Sequence, residues 1–236
     1  MFTVALIGAD GSGKTTITRQ LVRTLPWPVK YVYMGANSYS SNLLLPTTRL
    51  WLSILRSRGV KPHYGGPRDP AGVKAPPRNL IKRVGLGVKS VLGLVNQMAE
   101  EWFRQAVVWY YQRRGYVVLL DRHLFFDCYA HEIADNGIKK PITKRVHGFT
   151  LKHFYPRPDL VICLDAPAEV LFQRKQEGTL ELRKDRRQEY LQFGNVVENF
   201  AIVDATQSEE EVARQVADLI RDFQQLKKTS PHTAEV

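Results

Sequence analysis

The most informative stretch of the chain is its beginning, MFTVALIGADGSGKTT, residues 1–16. Phe2–Gly8 is a continuous apolar run that predicts a buried strand, and the pattern of Lys14–Leu25 predicts a helix. Between them, Gly8–Thr15 fits the pattern G-x-x-x-x-G-K-[ST] in full. Glycines in this pattern allow backbone N–H groups to surround a phosphate at the N-terminus of a helix. The stretch therefore predicts a phosphate-binding loop within a strand–loop–helix unit.

The residue types of this loop indicate a nucleotide and a divalent cation. Lys14 is placed to reach the β- and γ-phosphates, and the Thr15 hydroxyl is placed to ligate Mg²⁺. ATP and Mg²⁺ are therefore the expected cofactors. A glycine-rich turn with a surface lysine is the alternative, which the strand before the loop and the helix after it disfavour. The candidate nucleotide-binding residues here are Gly8, Asp10, Gly11, Ser12, Gly13, Lys14, Thr15 and Thr16.

Apolar runs and helical patterns alternate along the chain. The predicted strands are residues 2–8, 29–34, 116–120, 160–164 and 200–203. The predicted helices are residues 14–25, 94–114, 124–134, 168–175 and 209–226. Such alternation predicts an α/β protein with a parallel sheet covered on both faces. We expect a P-loop NTPase fold in one domain, residues 1–228, with five parallel strands, a lid and a flexible tail at 229–236.

Asp121 and Arg122 directly follow the third predicted strand. Because ligands of parallel α/β sheets bind at the carboxyl ends of the strands, both side chains are expected beside the phosphate-binding loop. A carboxylate there can bind Mg²⁺ or accept a proton from an attacking hydroxyl, and a guanidinium can clamp a phosphate. Asp121 is thus a metal and catalytic candidate and Arg122 a catalytic one. The alternative is an ion pair or a helix cap at the strand end.

A basic segment at about 174–189 follows the fourth predicted strand. Its cations are Arg174, Lys175, Arg183, Lys184, Arg186 and Arg187. Phosphoryl transfer needs cations around the moving phosphoryl group, and a mobile lid supplies them when it closes. Arg183 and Arg187 are the catalytic candidates of this lid. A solvated helix with ion pairs between successive turns is the alternative for most of these residues.

Composition narrows the class of protein further. The 236 residues are 44% hydrophobic, which suits one ordinary core, and the chain has no apolar run of the ~18 residues that a membrane helix needs. Cys128 and Cys163 have no spacing typical of a disulfide framework or a zinc site, so a reducing, cytoplasmic location is expected.

The positive charge is concentrated in one part of the chain. Residues 39–99 hold ten basic side chains and one acid, Asp69, which is +9 of the net +11. Pro and Gly residues in Gly59–Pro77 predict a long loop. We therefore interpret about 39–93 as a basic insertion, which can attract an anionic substrate or serve as a solubilising surface.

Taken in order, these pieces resemble the thymidylate kinase family of nucleoside monophosphate kinases. The matching segments are GADGSGKTT, RRGYVVLLDRH, PDLVICLDAPAEVLFQRK and VDATQSEEEVARQV, within about residues 1–34 and 94–227. The resemblance implies transfer of the ATP γ-phosphoryl group to a nucleoside monophosphate with Mg²⁺. It also implies that Asp10 contacts the acceptor sugar and Arg122 the phosphates, that one of Arg183, Arg186 and Arg187 is the lid arginine, and that Arg174, Ala205 and Thr206 lie at the nucleotide.

The acceptor side departs from the family pattern. The family follows its second strand with an acidic-Pro-Gly segment, where this chain has MGANSYSSN. It also grips the acceptor phosphate with an arginine at the position of Glu100, and Arg104 stands one turn further on. His123, Asp127 and His131 share one face of a predicted helix that lines either the acceptor pocket or the surface. The acceptor therefore stays open between a nucleoside monophosphate and another small anionic molecule.

Two alternatives remain from the residues alone. One is a kinase that phosphorylates a hydroxyl of a sugar-like or anionic metabolite. The other is a binding protein in which ATP switches a basic surface that holds nucleic acid or anionic lipid. Leu80–Val95 is basic and apolar enough to lie weakly on a membrane surface, or else packs on the domain. No stable nucleic-acid complex is expected, and a homodimer is left open.

Overall fold

A computed structural model describes residues 1–35, 43–57, 80–134, 137, 140–176 and 178–229. Its five strands are β1 (Thr3–Ile7), β2 (Val29–Tyr33), β3 (Val117–Asp121), β4 (Leu160–Asp165) and β5 (Phe200–Asp204). They form one parallel sheet in the order β2-β3-β1-β4-β5. Every residue of β1 and β3 is buried. Because successive side chains point to opposite faces, both faces of the sheet are covered, as predicted.

Eight α-helices are described. They are α1 (Lys14–Thr24), α2 (Pro46–Ser57), α3 (Leu80–Arg113), α4 (Leu124–Cys128), α5 (Ile142–His153), α6 (Ala168–Arg174), α7 (Leu180–Leu191) and α8 (Glu209–Thr229). A π-helical turn, Tyr129–Ile133, follows α4, and a 3₁₀ turn, Gln192–Asn195, follows α7. The predicted α/β fold is confirmed, with the P-loop between β1 and α1. The predicted loop at 59–77 and the tail beyond Thr229 lie outside the described residues.

Apolar periodicity explains the helices that were predicted. Helix α1 buries Ile17 and Leu21, and α8 buries a stripe that includes Val216 and Ile220. Three glutamates in the first turn of α8 and two lysines in its last turn complement the helix dipole. The pattern failed for α5, which buries His147, Gly148 and Leu151 but exposes most of its apolar side chains.

The strand ends bring the candidate residues to one edge of the sheet. Leu6 pairs with Asp121 in β3, and Ile7 pairs with Cys163 in β4. At the far end of the sheet, Asp165 pairs with Asp204. The segments that follow β1, β3, β4 and β5 therefore leave the sheet side by side, as parallel pairing requires.

Candidate active site at the carboxyl edge of the sheet

The loop after β1 is wrapped around the ammonium group of Lys14. Its Nζ donates to the carbonyls of Gly8 and Ala9, each at 2.8 Å, and to Ser12 Oγ at 3.2 Å. Lys14 is 5% exposed, and burial together with the nearby Arg122 lowers the pKa of Lys14 to about 8. The loop thus encloses one buried cation, which a phosphate can neutralise.

Two glycines allow this loop to pack closely on its neighbours. Gly8 and Gly11 adopt φ of 138° and 95°, in the region that favours glycine. A Cβ on Gly8 would lie 2.4 Å from the Leu164 carbonyl oxygen, and one on Gly11 would lie 2.5 Å from that of Leu171. The close packing holds the P-loop against β4 and α6.

Asp121 joins β3 to the P-loop. Its Oδ2 accepts hydrogen bonds from Thr15 Oγ1 at 2.7 Å and from Tyr31 Oη at 3.0 Å. Its Oδ1 is buried and has no hydrogen-bond partner among the described residues. A carboxylate oxygen beside the Thr15 hydroxyl is the oxygen donor set that Mg²⁺ prefers, so these residues fit the ion. Sequence reasoning missed Tyr31, which only the observed pairing of β2 with β3 brings near Asp121.

Asp10 is held between two arginines. Its carboxylate pairs with Arg122 through Oδ1, and Arg183 Nη1 lies 3.7 Å from Oδ2. Burial opposes ionisation, but Arg122 and Lys14 hold the pKa of Asp10 at about 2. Arg122 has a left-handed φ of 69°, which costs a non-glycine residue on the order of 1–3 kcal/mol. Such strain is concentrated at functional sites, and here it directs the guanidinium to the P-loop.

Three arginines of the predicted lid lie on α7, and each has different partners. Arg183 is buried and donates to the Lys175 carbonyl at 3.1 Å. Arg187 forms a bidentate pair with Asp165, with both distances 2.7 Å. Arg186 pairs with Glu189 at 3.0 Å and contacts His131. Asp165 ends a strand just as Asp121 does, so the rule that identified Asp121 would also have found it.

The segment after β5 lies beside α6. Arg174 Nη1 donates to the Ala205 carbonyl at 2.7 Å. The backbone N–H and the hydroxyl of Thr206 both donate to Asp204 Oδ1, which lowers the pKa of that carboxyl. Arg174, Ala205 and Thr206, predicted to lie at the nucleotide, are therefore adjacent.

The acceptor side is organised by α3. Glu100 is 2% exposed, and its carboxylate accepts the Leu45 backbone N–H at 3.1 and 3.2 Å, immediately before Pro46 begins α2. Arg104, also 2% exposed, donates to the Gly35 carbonyl at 2.9 Å. Both charged side chains thus bind backbone groups that enter and leave the segment between β2 and α2.

His123, Asp127 and His131, which were predicted to share one helix face, lie in three different environments. His123 is buried against Phe126 and Tyr155, and burial lowers the pKa of His123 to about 3. Asp127 instead accepts a hydrogen bond from Tyr190 Oη at 3.0 Å on α7. His131 is exposed and meets Arg186. His123 is therefore a core residue rather than a pocket residue.

A buried ionic cluster, which the sequence did not predict, joins α3, the π-helical turn and α5. His147 binds Glu101 at 2.8 Å through Nε2 and Glu132 through Nδ1. Burial opposes protonation, but the two carboxylates raise the pKa of His147 to about 9. Atoms of Cys128, Glu132 and His147 that could ligate a metal lie within 4.8 Å of one another. The charge of the His147 imidazolium is balanced by the two glutamates with which it pairs. A Cβ on Gly148 would lie 2.2 Å from the Glu132 carbonyl oxygen, so Gly148 allows this contact.

Comparison with known proteins agrees with this geometry. No protein-family model matches the chain. The chain is 33% identical over 124 residues to a probable thymidylate kinase of Archaeoglobus fulgidus. This match covers 49% of this chain and 59% of that protein. It is 26% identical over 233 residues to a probable thymidylate kinase of Pyrobaculum aerophilum, covering 94% and 97% respectively. A probable thymidylate kinase of Pyrococcus abyssi is 31% identical over 116 residues.

The parallel sheet and the P-loop at its carboxyl edge are those of a P-loop kinase. The chain is thus similar to archaeal proteins named probable thymidylate kinases, over part of one and nearly the full length of another, which supports a thymidylate kinase-like relationship.

Proposed function

We propose that the protein transfers the γ-phosphoryl group of ATP to a small acceptor, with a nucleoside monophosphate as the first candidate. One observation carries the proposal. The ammonium of Lys14 is buried in the loop after β1, and the Thr15 hydroxyl donates to Asp121, whose other carboxylate oxygen is buried without a hydrogen-bond partner among the described residues. A buried cation beside an unsatisfied carboxylate is what a magnesium–triphosphate complex requires.

Each residue of this group has a distinct role in the proposal. Lys14 leaves the loop carbonyls to bind the β- and γ-phosphate oxygens, and backbone N–H groups of the loop take the remaining oxygens. Thr15 and Asp121 would hold Mg²⁺, which would supply positive charge to the β- and γ-phosphates. Arg122 exchanges Asp10 for a phosphate at the transfer point. With a hydroxyl acceptor, Asp121 would instead be placed to accept the proton of the attacking hydroxyl.

Arg183 is the better lid candidate of the two proposed catalytic arginines. It already lies on the P-loop side, 3.7 Å from Asp10, whereas Arg187 is held by both oxygens of Asp165. Arg183 would therefore stabilise charge on the transferred phosphoryl group, and Arg187 would fix α7 on β4. We place the adenine near Arg174, Ala205 and Thr206, which adjoin one another.

A hydroxyl acceptor other than a nucleotide is the second candidate. The acceptor side supports it because Glu100 and Arg104, which stand near the family's phosphate-gripping position, are both buried and bound to backbone groups. The names of the relatives support a nucleoside monophosphate instead. On the structural argument, we expect thymidine monophosphate to be a poor acceptor.

An acceptor panel tests the proposal. The purified protein is incubated with γ-labelled ATP and Mg²⁺ and with nucleoside monophosphates, nucleosides, sugars or sugar acids, and label in the acceptor is measured. The expected result is transfer to one class of acceptor that Lys14→Ala abolishes. ATP binding without transfer to any acceptor, together with salt-sensitive binding to a polyanion, would contradict the proposal and favour an ATP-switched binding protein.

A further inference from the structure

The first half of α3 exposes an apolar face. Val88, Val91, Leu92 and Val95 are 53–63% exposed. Because successive residues of a helix turn by about 100°, these four side chains lie within an arc of about 100° on one side of α3. Large contiguous apolar patches are rare on monomeric soluble proteins, so this face is a candidate binding surface that its charge must help to define.

Helix α2 packs beside this half of α3 and also exposes apolar side chains. Leu45 contacts Glu100, and Thr48 contacts Asn96, so α2 runs antiparallel to α3. Leu50 is 66% exposed and Ile54 is 42% exposed on α2. We call residues 43–57 and 80–99 the α2–α3 arm.

The charge of the arm is of one sign. Its two sequence segments hold Arg49, Arg56, Lys82, Arg83 and Lys89 and contain neither Asp nor Glu. A partner for this arm must therefore offer both an apolar surface and negative charge. A bilayer with anionic headgroups has both properties within the depth that one helix occupies.

The arm does not need a partner in order to be helical. Helix α3 continues into a half whose side chains Glu101, Arg104, Gln105 and Val108 are buried, so its nucleation is supplied by the folded domain. Gly85, Gly87 and Gly93 would weaken an isolated helix here, but they extend one that is already anchored. The apolar face of α3 is therefore formed before any partner binds.

We propose that the α2–α3 arm docks the protein on an anionic lipid surface, with the apolar face of α3 in the headgroup region. A second copy of the chain is a poorer occupant, because it would bring together two arms whose sequences each carry five basic residues and no acid. Nucleic acid would use the positive charge and leave the apolar side chains uncovered. No helix in the described part of the chain is long and apolar enough to cross a membrane, so the arm lies on the surface.

Flotation with lipid vesicles tests this surface. The full chain is mixed with vesicles of phosphatidylcholine alone or with added phosphatidylglycerol, and the bound fraction is measured. We expect binding only to the anionic vesicles. Raising the salt from about 0.1 M to about 0.5 M shortens the Debye length from about 10 Å to about 4 Å and should weaken this binding.

Matched variants separate the two contributions. The double change Leu92→Ser and Val88→Ser should reduce binding by about tenfold or more, because each buried side chain contributes on the order of 1 kcal/mol or more. Ile142→Ser with Val146→Ser, 75% and 46% exposed on α5, is the matched control and should bind as the parent does. Lys89→Glu should weaken binding, and Lys152→Glu on α5 should have little effect.

The proposal is independent of the kinase reaction, because none of these residues lies at the P-loop and binding is measured without ATP. Absence of binding to anionic vesicles would overturn it. An equal loss of vesicle binding in the α5 control variant would also overturn it. So would a dimer, seen by sedimentation, that the double variant Leu92→Ser and Val88→Ser dissociates and the α5 control does not. Binding to single-stranded DNA that exceeds binding to vesicles would favour nucleic acid instead.

Discussion

The phosphate edge and the acceptor side of the site are built from different kinds of contact. At the phosphate edge, Lys14, Thr15 and Asp121 lie within a few residues of a strand end; Lys14 binds the loop carbonyls, and Thr15 donates to Asp121. On the acceptor side, Glu100 and Arg104 belong to the middle of a long helix and contact backbone groups 55 and 69 residues away. The first arrangement is local in sequence, and the second depends on how distant segments pack.

Removing the lysine of the P-loop should have the largest effect. We expect Lys14→Ala to lower turnover about a thousandfold or more, because a charge that strengthens its contact in the transition state is lost. Steady-state ATP consumption with the accepted substrate measures this loss, and circular dichroism checks the fold. Lys152→Ala, an exposed lysine on α5, is the control. Near-normal turnover of Lys14→Ala at saturating ATP would contradict the kinase proposal.

The second test concerns Asp121 at the same edge. Asp121→Asn keeps the shape of the side chain but neither accepts a proton at neutral pH nor supplies charge to Mg²⁺. We expect single-turnover transfer to fall about a hundredfold or more while ATP still binds. Asp218→Asn, on the exposed surface of α8, is the matched control. An unchanged single-turnover rate would return Asp121 to a structural role at the strand end.

The difference between the two regions also explains what the sequence could predict. Alternating apolar runs and the rule that parallel strands bind ligands at their carboxyl ends predicted the sheet and placed Asp121 beside Thr15. Local pattern could not show that Glu100 reaches Leu45 or that His147 lies between Glu101 and Glu132, because those contacts depend on how α2, α3 and α5 pack. Helix α5 was missed because its buried residues include a charged histidine and a glycine.

The buried histidine gives the acceptor side a pH-dependent stability. The folded pKa of His147, about 9, is raised above the ordinary value of 6.5. Its contribution is therefore fully present below pH 6.5 and is lost as the pH rises through about 9. We expect the loss to be about 3 kcal/mol in the free energy of unfolding.

Denaturant unfolding at pH 6 and at pH 10 measures this loss. His147→Gln should lack the histidine's share of the pH dependence, so the parent and the variant should converge at high pH. His153→Gln, at the exposed end of α5, is the control and should follow the parent. A constant difference between the parent and His147→Gln across this range would show that His147 is not charged in the cluster.

The smallest expected effect concerns Glu100, and it distinguishes two explanations of the acceptor side. If Glu100 serves to bind the start of α2, Glu100→Gln retains a carbonyl oxygen for the Leu45 N–H and loses only the charge. A hydrogen bond to a charged group is stronger than a neutral one by about 1 kcal/mol, so the free energy of unfolding should fall by about that amount. The choice of acceptor should not change, because the side chain is buried away from solvent.

If the carboxylate instead faces the acceptor and repels a phosphate, the same change should raise the catalytic efficiency with thymidine monophosphate while leaving stability nearly unchanged. Measuring both quantities on this variant, with Glu210→Gln at the exposed start of α8 as the control, decides between the two explanations.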